Sequence, residues 1–219
     1  MGFTRAELES FRDAEVPDLL PPAGELRLLI VGINPGLGTA ATRTHFARPG
    51  NRFYPALYAA GIVDRLVDPA AGMTDDDRAA IVARGLAITN LVRRATARAD
   101  ELSRDELVAG RAGLEAFVTR HRPRVVAMLG ITAYRAACGQ PGAGLGRQPA
   151  DLCGAQLWVV PNPSGLNAHE TISSLATAYA EPARAAGIEL YPRAGVAGRP
   201  GPGPGPRRQS ARRASSSST

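Results

Sequence analysis

Two short runs of aliphatic residues in this chain each end in a polar loop that contains an Asn-Pro step. Residues 28–31 (LLIV) precede residues 32–36 (GINPG), and residues 157–160 (LWVV) precede residues 161–165 (PNPSG). Apolar runs this short, bounded by Gly and Pro, predict buried strands rather than helices. Ligands of open α/β sheets bind beyond the carboxyl ends of the strands. The two loops therefore predict a site on one edge of a sheet.

The remaining pattern alternates strands with helices. Strands are predicted at about 26–33, 86–89, 125–129 and 157–160, and helices at 4–15, 51–60, 75–84, 103–121, 132–137 and 170–186. Residues 34–50 are expected to form a long loop, and residues 139–146 a glycine-rich turn region. This alternation predicts an α/β fold, a three-layer α/β/α sandwich with a central, mostly parallel sheet.

The positive charge is concentrated at the end of the chain. The sequence contains 26 basic residues, all of them Arg, and 20 acidic ones. Residues 193–219 hold six of the arginines and no acid, so residues 1–192 are formally neutral. We expect one catalytic domain at 1–192 and a disordered Gly/Pro/Arg/Ser-rich basic tail at 193–219. Because the chain has no Lys, a lysine Schiff base is excluded.

Metals, cofactors and membranes are not expected. The cysteines Cys138 and Cys153 lack the paired spacing of a zinc site, and the three histidines are scattered. No apolar stretch approaches the about 20 residues that span a bilayer, and the N-terminus has no hydrophobic signal core. We therefore expect no metal, no cofactor and no membrane association, and a cytoplasmic protein, close to the nucleoid in a bacterium.

The first loop offers a carboxamide at the end of a strand. Asn34 carries one acceptor and two donor positions, so it is able to orient a water or to grip the edge of a base, but it is not a general base. Two alternatives stay open. One is a purely structural turn. The other is a dinucleotide-binding turn over residues 32–38, although the spacing is not G-x-G-x-x-G and Pro35 lacks an amide donor.

The second loop combines polar groups with an apolar side chain. Asn162 and Ser164, with the nearby backbone amides, are suited to gripping phosphates. Leu166, between Gly165 and Asn167, resembles the apolar wedges that some proteins insert into a base stack. The alternative is that Leu166 packs into the core as a staple before the following helix.

Taken together, these motifs resemble one known family. The two Asn-Pro loops, with residues 46–53, 89–92 and 129–130, resemble the mismatch-specific uracil-DNA glycosylases, bacterial relatives of thymine-DNA glycosylase. The resemblance runs in order over about residues 17–190. It implies a uracil-DNA glycosylase fold and a monomeric, monofunctional enzyme of base excision repair. Such an enzyme flips uracil, or another damaged pyrimidine such as ethenocytosine, out of a G·U-type mismatch in double-stranded DNA and hydrolyses its glycosidic bond.

The resemblance also implies roles for individual residues. Asn34 would position the attacking water, and Phe46 would stack on the flipped base. Backbone amides near Ile33 and Gly36 would bind the edge of the base. Leu166 would fill the vacated space while Gly165 and its neighbours, including Asn167, touch the opposite strand.

Several positions leave a choice between a functional and a structural role. His45 would contact the pyrimidine or simply be solvated in its loop, and Asn90 would bind the base or serve as a structural amide at a strand end. Arg43, Arg48 and Arg52 either contact phosphates or stay on the solvated surface.

One position departs from the family pattern, because Ala168 stands where some bacterial members carry an Arg that contacts the opposite strand. Two alternatives to a glycosylase also remain. One is a non-catalytic module that binds DNA lesions, and the other is a nucleotide-binding enzyme that uses residues 32–38.

Overall fold

A five-stranded sheet forms the centre of the protein. The computed structural model describes residues 2–70 and 72–193. The strand order is β2-β1-β3-β5-β4, with β1 at Leu28–Gly32, β2 at Leu86–Asn90, β3 at Val125–Leu129, β4 at Gly146–Arg147 and β5 at Gln156–Val160. The first four strands in this order run parallel, and the two-residue β4 pairs antiparallel with β5. The α/β fold predicted from the alternation is confirmed.

Helices cover both faces of the sheet. They are α1 (Arg5–Glu9), α2 (Leu37–Thr42), α3 (Phe53–Ala59), α4 (Asp75–Val82), α5 (Arg104–His121), α6 (Ile131–Cys138) and α7 (Ile172–Ala185), with a 3₁₀ turn at Ala99–Glu101. Alternate residues of β1 point to opposite sides, as the pleat requires. Leu28 and Ile30 pack with α3, α4 and α7, whereas Leu29 and Val31 pack with α5 and α6. The result is three layers with a separate apolar core on each side of the sheet.

Two helix starts that the sequence predicts are present as capping boxes. The Thr74 hydroxyl accepts a hydrogen bond from the Asp77 amide, and the Asp77 carboxylate accepts one from the Thr74 amide. Ser103 and Glu106 make the same reciprocal pair at the start of α5. These bonds satisfy backbone donors that the first turn of a helix cannot pair internally.

The segment predicted as a loop at 34–50 contains a helix. α2 begins after Gly36, which supplies no side-chain cap, and it has no charged residue to mark its start. Its Leu37, Thr39 and Ala40 are buried. Tertiary burial therefore stabilises a helix that local signals do not indicate.

Other segments differ more modestly from the prediction. The first helix ends at Glu9 rather than at residue 15, and Asp13 takes a left-handed conformation with its amide bonded to the Ala95 carbonyl. The region expected to be a glycine-rich turn ends in the edge strand β4.

The predicted basic tail falls almost wholly outside the described residues. Its first residue, Arg193, is described and packs on the domain, with Nε 2.8 Å from the Tyr58 carbonyl and Nη2 2.6 Å from the Val63 carbonyl. Within the described residues, no helix is long and apolar enough to cross a membrane.

Candidate active site

A large cleft lies at the carboxyl ends of the parallel strands, next to β1. From β1 the chain goes first to β2 on one side and then to β3 on the other side. This is the switch point at which open α/β sheets bind ligands. The cleft has a volume of about 600 Å³. Both Asn-Pro loops reach it. Its lining includes Ile33, Asn34, Gly36, His45, Phe46, Asn90, Asn162, Ser164 and Leu166.

The Asn34 side chain is held in one orientation. Its Nδ2 lies 2.7 Å from Thr96 Oγ1, 3.1 Å from the Arg94 carbonyl and 3.2 Å from the Pro35 carbonyl. The Thr96 hydroxyl donates its own proton to the Arg98 carbonyl at 2.7 Å, so toward Asn34 it is an acceptor. All three partners accept, which assigns the NH₂ group to this side of the amide.

The other end of the Asn34 amide is available to a ligand. Among the described residues, no donor bonds to Oδ1, and the side chain lines the cleft. Sequence reasoning missed Thr96, which is buried and 62 positions away along the chain. No local pattern marks it, because strand pairing alone brings it near.

Phe46 forms an aromatic wall of the cleft. Its ring stacks on Phe53 with centroids 3.9 Å apart, and Phe53 itself is fully buried. The Phe46 backbone is in the left-handed region at φ 59°, an uncommon conformation for a bulky residue. A ring fixed on one side by Phe53 and exposed to the cleft on the other is suited to stack on a planar ligand.

His45 and Asn90 form a buried pair beside Phe46. His45 is 5% exposed, so the alternative that it is solvated in its loop does not hold. Its Nε2 lies 3.1 Å from the Pro17 carbonyl and therefore carries the proton. Its Nδ1 then accepts from Asn90 Nδ2, at 3.3 Å. Both ring nitrogens are engaged within the protein, whereas Asn90 keeps its Oδ1 and one N–H.

Burial lowers the pKa of His45, which keeps the ring neutral. The Pro17 carbonyl and Asp18 act in the opposite direction, while Arg78 and Arg93 lower the pKa further. A neutral ring is the form that is able to accept from Asn90.

Gly32 makes room for this pair. A Cβ at position 32 would stand 2.6 Å from Asn90 Oδ1 and 3.4 Å from the Phe46 ring. A side chain here would displace the Asn90 carboxamide, and its Cβ would stand at contact distance from the Phe46 ring.

Ile33 and Gly36 also line the cleft. The Ile33 carbonyl accepts from the Val92 amide at 2.9 Å, and the Gly36 carbonyl accepts from the Ala40 amide at 3.0 Å. A Cβ at Gly36 would meet nothing within 4 Å, and its φ of −76° is ordinary. Neither packing nor strain requires glycine at 36, whereas the close approach of a ligand would.

The second loop is braced by its own side chains. Asn162 Oδ1 accepts from the Ser164 amide at 3.0 Å, and Ser164 Oγ accepts from the Leu166 amide at 3.3 Å. Asn167 donates from Nδ2 to the Asn162 carbonyl and accepts from the His169 amide. These groups hold the shape of the loop. Each end of the Asn167 amide makes one such bond, so one N–H and one oxygen lone pair stay available to a ligand.

Leu166 projects from this loop. Its surface is 69% exposed and it borders the cleft. The alternative that it packs into the core before the following helix is therefore wrong. Gly165 next to it lies against a neighbouring segment, since a Cβ there would stand 2.7 Å from the Gly50 carbonyl.

The three arginines near the first loop differ in their surroundings. Arg43 and Arg48 are exposed, and Arg48 borders the cleft. Arg52 is half-buried beneath the second loop, so its expected place on the solvated surface is wrong.

Comparison with known proteins agrees with the geometry of this cleft. The sequence model of the family described as "Uracil DNA glycosylase superfamily" matches residues 17–181, which is most of the chain.

The chain belongs to the uracil DNA glycosylase superfamily.

The fold is also similar to a solved structure. The solution NMR structure of a candidate uracil DNA glycosylase from Methanosarcina acetivorans matches with a TM-score of 0.51 and 15% sequence identity. The match covers 78% of this chain and 96% of the other. At this identity the likeness shows the fold alone. Members of the superfamily are DNA glycosylases, which are hydrolases, and membership supports an enzymatic role that acts on DNA.

The superfamily match leaves part of the cleft unaccounted for. Arg5, Leu8 and Glu9 of α1 line the cleft, yet they precede the matched range. Sequence reasoning assigned them no role, because a short helix before the first strand carries no signal of its tertiary position.

Proposed function

We propose that this protein is a monofunctional DNA glycosylase that removes uracil from G·U-type mismatches in double-stranded DNA. The proposal extends to other damaged pyrimidines such as ethenocytosine, and to a monomer that acts in the cytoplasm. The observation that carries it is the fixed Asn34 carboxamide, whose Nδ2 is bound by three acceptors while Oδ1 borders the cleft.

The reaction is a hydrolysis at the anomeric carbon. The bond between C1′ and N1 of the base breaks and its electron pair leaves with the base. The oxygen of a water bonds to C1′, and the proton that this water loses ends on the base anion, so that the products are the neutral base and the abasic sugar. Because the transition state resembles an oxocarbenium ion, stabilising separated charge matters more than a strong nucleophile. Asn34 Oδ1 would accept a hydrogen bond from this water and orient its lone pair, without removing a proton in a pre-equilibrium.

Other groups of the cleft would hold the leaving base, on the side of the sugar that faces away from the attacking water. Its ring would stack on the cleft face of Phe46, the other face of which is stacked on Phe53. The remaining Asn90 N–H and backbone amides near Ile33 and Gly36 would donate to the developing anion. Such donors, placed before the reaction begins, are an effective way to stabilise charge.

Selectivity for mismatched bases would come from the free energy needed to move the base out of the duplex. A mismatched base unstacks more easily than a paired one, so a slow glycosylase gains selectivity from this cost. Leu166 would enter the space that the base leaves. Because the chain has no Lys, no ε-amino group is available for lyase chemistry, and an intact abasic site is the expected product.

Asn34→Ala tests the proposal. We expect the single-turnover rate of uracil excision from a G·U duplex to fall by about 100-fold or more, since a misplaced reactant costs at least that much. Binding to the same duplex should change little, because most of the affinity for DNA comes from charged contacts with phosphates and Asn34 carries no charge. Abasic sites are revealed by alkali, and the melting temperature checks the fold.

A panel of lesions distinguishes the alternatives. Uracil, thymine, hypoxanthine, xanthine and ethenocytosine are each placed opposite each base. Binding to lesions with no excision by the wild-type protein would support a lesion-binding module instead. Tight binding of a free nucleotide, without excision, would support a nucleotide-binding enzyme that uses residues 32–38.

A further inference from the structure

Arg52 lies beneath the loop that carries Leu166. Its Nη2 donates to the carbonyls of Ser164 at 2.6 Å and Asn167 at 2.7 Å, and its Nη1 donates to the Glu170 carbonyl. One guanidinium thus bonds to carbonyls that precede and follow the exposed Leu166 in the sequence. The planar fork of Arg suits this task, because its donors are fixed relative to one another.

The main chain adds to this connection. The Arg52 amide donates to the Pro163 carbonyl at 2.9 Å. Two residues earlier, the Gly50 carbonyl packs against Gly165, where a Cβ would clash at 2.7 Å. Residues 50–52 and 163–170 are therefore joined by side-chain, main-chain and packing contacts.

The same segment continues directly into the aromatic wall. Arg52 precedes α3, whose first residue Phe53 is fully buried and carries the stacked ring of Phe46. Arg52 therefore lies between the loop that carries Leu166 and the ring that is expected to stack on the base.

The Arg52 guanidinium has unusual surroundings for a structural ion. Its partners are neutral carbonyls, and within the described residues no carboxylate lies within ion-pair distance of it. Its Nε is buried with no partner there. A buried donor without a partner costs free energy, and the positive charge stays unneutralised beneath the loop.

We propose that Arg52 is the positioning residue that holds the Leu166 loop in register with the base pocket, so that extrusion of the base and its capture on Phe46 occur together. The proposal rests on the proposed function, because it assigns Leu166 to the extrusion step. Arg52 itself need not touch the base.

The test compares a stacked with an unstacked substrate. Uracil is placed in a G·U duplex, and separately inside a bubble of unpaired bases where extrusion needs no wedge. Arg52→Gln should lower the single-turnover rate on the duplex by about tenfold or more, and on the bubble by less than about threefold, because only the duplex depends on a well-placed wedge. Leu166→Ala should show the same difference between substrates.

A double variant tests whether the two residues act together. If Arg52 acts through Leu166, Arg52→Gln combined with Leu166→Ala should lose no more than the larger single effect, since groups that act as a unit are not additive. Arg52→Lys should recover part of the duplex rate, because an ammonium keeps the charge but loses the fork.

Arg84 provides a matched control. It also donates to main-chain carbonyls, those of Ile62 and Glu189, but it lies outside the cleft lining. Arg84→Gln should change the duplex and bubble rates equally or not at all. Equal losses on both substrates with Arg52→Gln, or additive losses in the double variant, would overturn the proposal.

A separate measurement tests the positioning role of Arg52 independently of glycosylase activity. Amide hydrogen exchange should rise in residues 163–170 of Arg52→Gln, and not in Arg84→Gln. If the wild-type protein excises no base, the proposed function fails while this exchange result still reports whether Arg52 holds the loop. Unchanged exchange in Arg52→Gln would contradict the positioning role whatever the activity.

Discussion

Thr96 determines how Asn34 faces the cleft. Its hydroxyl gives its proton to the Arg98 carbonyl and so has only a lone pair to offer Asn34 Nδ2. A carboxamide has two nearly isosteric ends, and its orientation depends on such partners. Thr96 thus helps to set which end of the Asn34 amide faces the cleft, and in the proposed function this is the end that would bind the water.

Thr96→Val tests this dependence. Valine keeps the shape of the side chain but removes the hydroxyl, so the Asn34 amide loses one of its three acceptors. We expect the single-turnover rate on a G·U duplex to fall by about tenfold, less than for Asn34→Ala, because two acceptors remain. Thr119→Val, at an exposed position of α5, is the matched control. A rate equal to that of the control would show that Thr96 has no part in orienting Asn34.

Because His45 is buried, we expect the stability of the fold to depend on pH. Burial lowers its pKa below the ordinary 6.5, so the unfolded chain binds a proton at a higher pH than the folded protein does. The stabilisation is fully present above about pH 6.5 and is lost as the pH falls toward the folded pKa. Protonation would also place a second N–H against Asn90 Nδ2 and break that hydrogen bond.

Comparing the wild type with His45→Gln measures this effect. Glutamine is able to donate to the Pro17 carbonyl but does not titrate. The difference in unfolding free energy between the two proteins should shrink between about pH 7.5 and about pH 5. His169→Gln, at an exposed position, is the matched control for the substitution itself. A difference for His45→Gln that varies with pH no more than that of the control would contradict the prediction.

At the scale of elements, the strands and the long helices are specified by local patterns. The apolar runs at residues 28–31 and 125–129 lie in β1 and β3 because both of their faces are buried between helices. α5 begins at Arg104, directly after the N-cap Ser103 that the capping box predicts. The short α2 is different, since burial of Leu37 and Ala40 rather than a cap stabilises it. Short elements depend on tertiary contacts because a helix nucleus is costly.

Ser103→Ala measures what the cap of α5 contributes. Loss of the hydroxyl leaves the Glu106 amide without its acceptor, and the free energy of unfolding should fall by about 1 kcal/mol. Ser173→Ala, at an exposed site within α7, is the control and should change the free energy by less than about 0.5 kcal/mol. Chemical denaturation provides the measurement. Equal values for the two variants would mean that the cap adds nothing in this protein.

A core substitution measures the packing of the sheet. Leu29 of β1 is fully buried between the sheet and the layer of α5 and α6. Leu29→Ala should lower the free energy of unfolding by about 2–5 kcal/mol, because it removes apolar contacts and leaves a cavity. Leu145→Ala, at an exposed position, should have little effect. A loss below about 1 kcal/mol for Leu29→Ala would show that the core readjusts to fill the space.

At the scale of the whole molecule, charge is distributed unevenly. Residues 1–192 are formally neutral, whereas the basic excess lies at the end of the chain. Arg193 belongs with the domain, since its guanidinium stacks over the Tyr58 ring at 4.1 Å and bonds to main-chain carbonyls. The five arginines beyond it are therefore the ones whose removal tests the role of the basic segment.

Deleting residues 194–219 should weaken binding to duplex DNA and reduce its salt dependence. Charges that neutralise phosphates release counterions, so each lost contact lowers the slope of log affinity against log salt by about 0.9. The single-turnover rate at saturating protein should stay unchanged. Binding is measured by fluorescence anisotropy over a series of salt concentrations. A lost chemical step would show that the segment belongs to the active site.

The sequence by itself determined the class of fold, the strand ends and the loops that bear Asn34 and Leu166. Hydrophobic periodicity and turn chemistry are local signals, so a short stretch of sequence is enough to predict a strand or a turn. Only the tertiary structure decided which side chains support these loops. Thr96 meets Asn34 across 62 positions, and Arg52 meets Ser164 across 112. Such contacts depend on which strand ends lie side by side, and that order follows from packing of the whole sheet rather than from any local pattern.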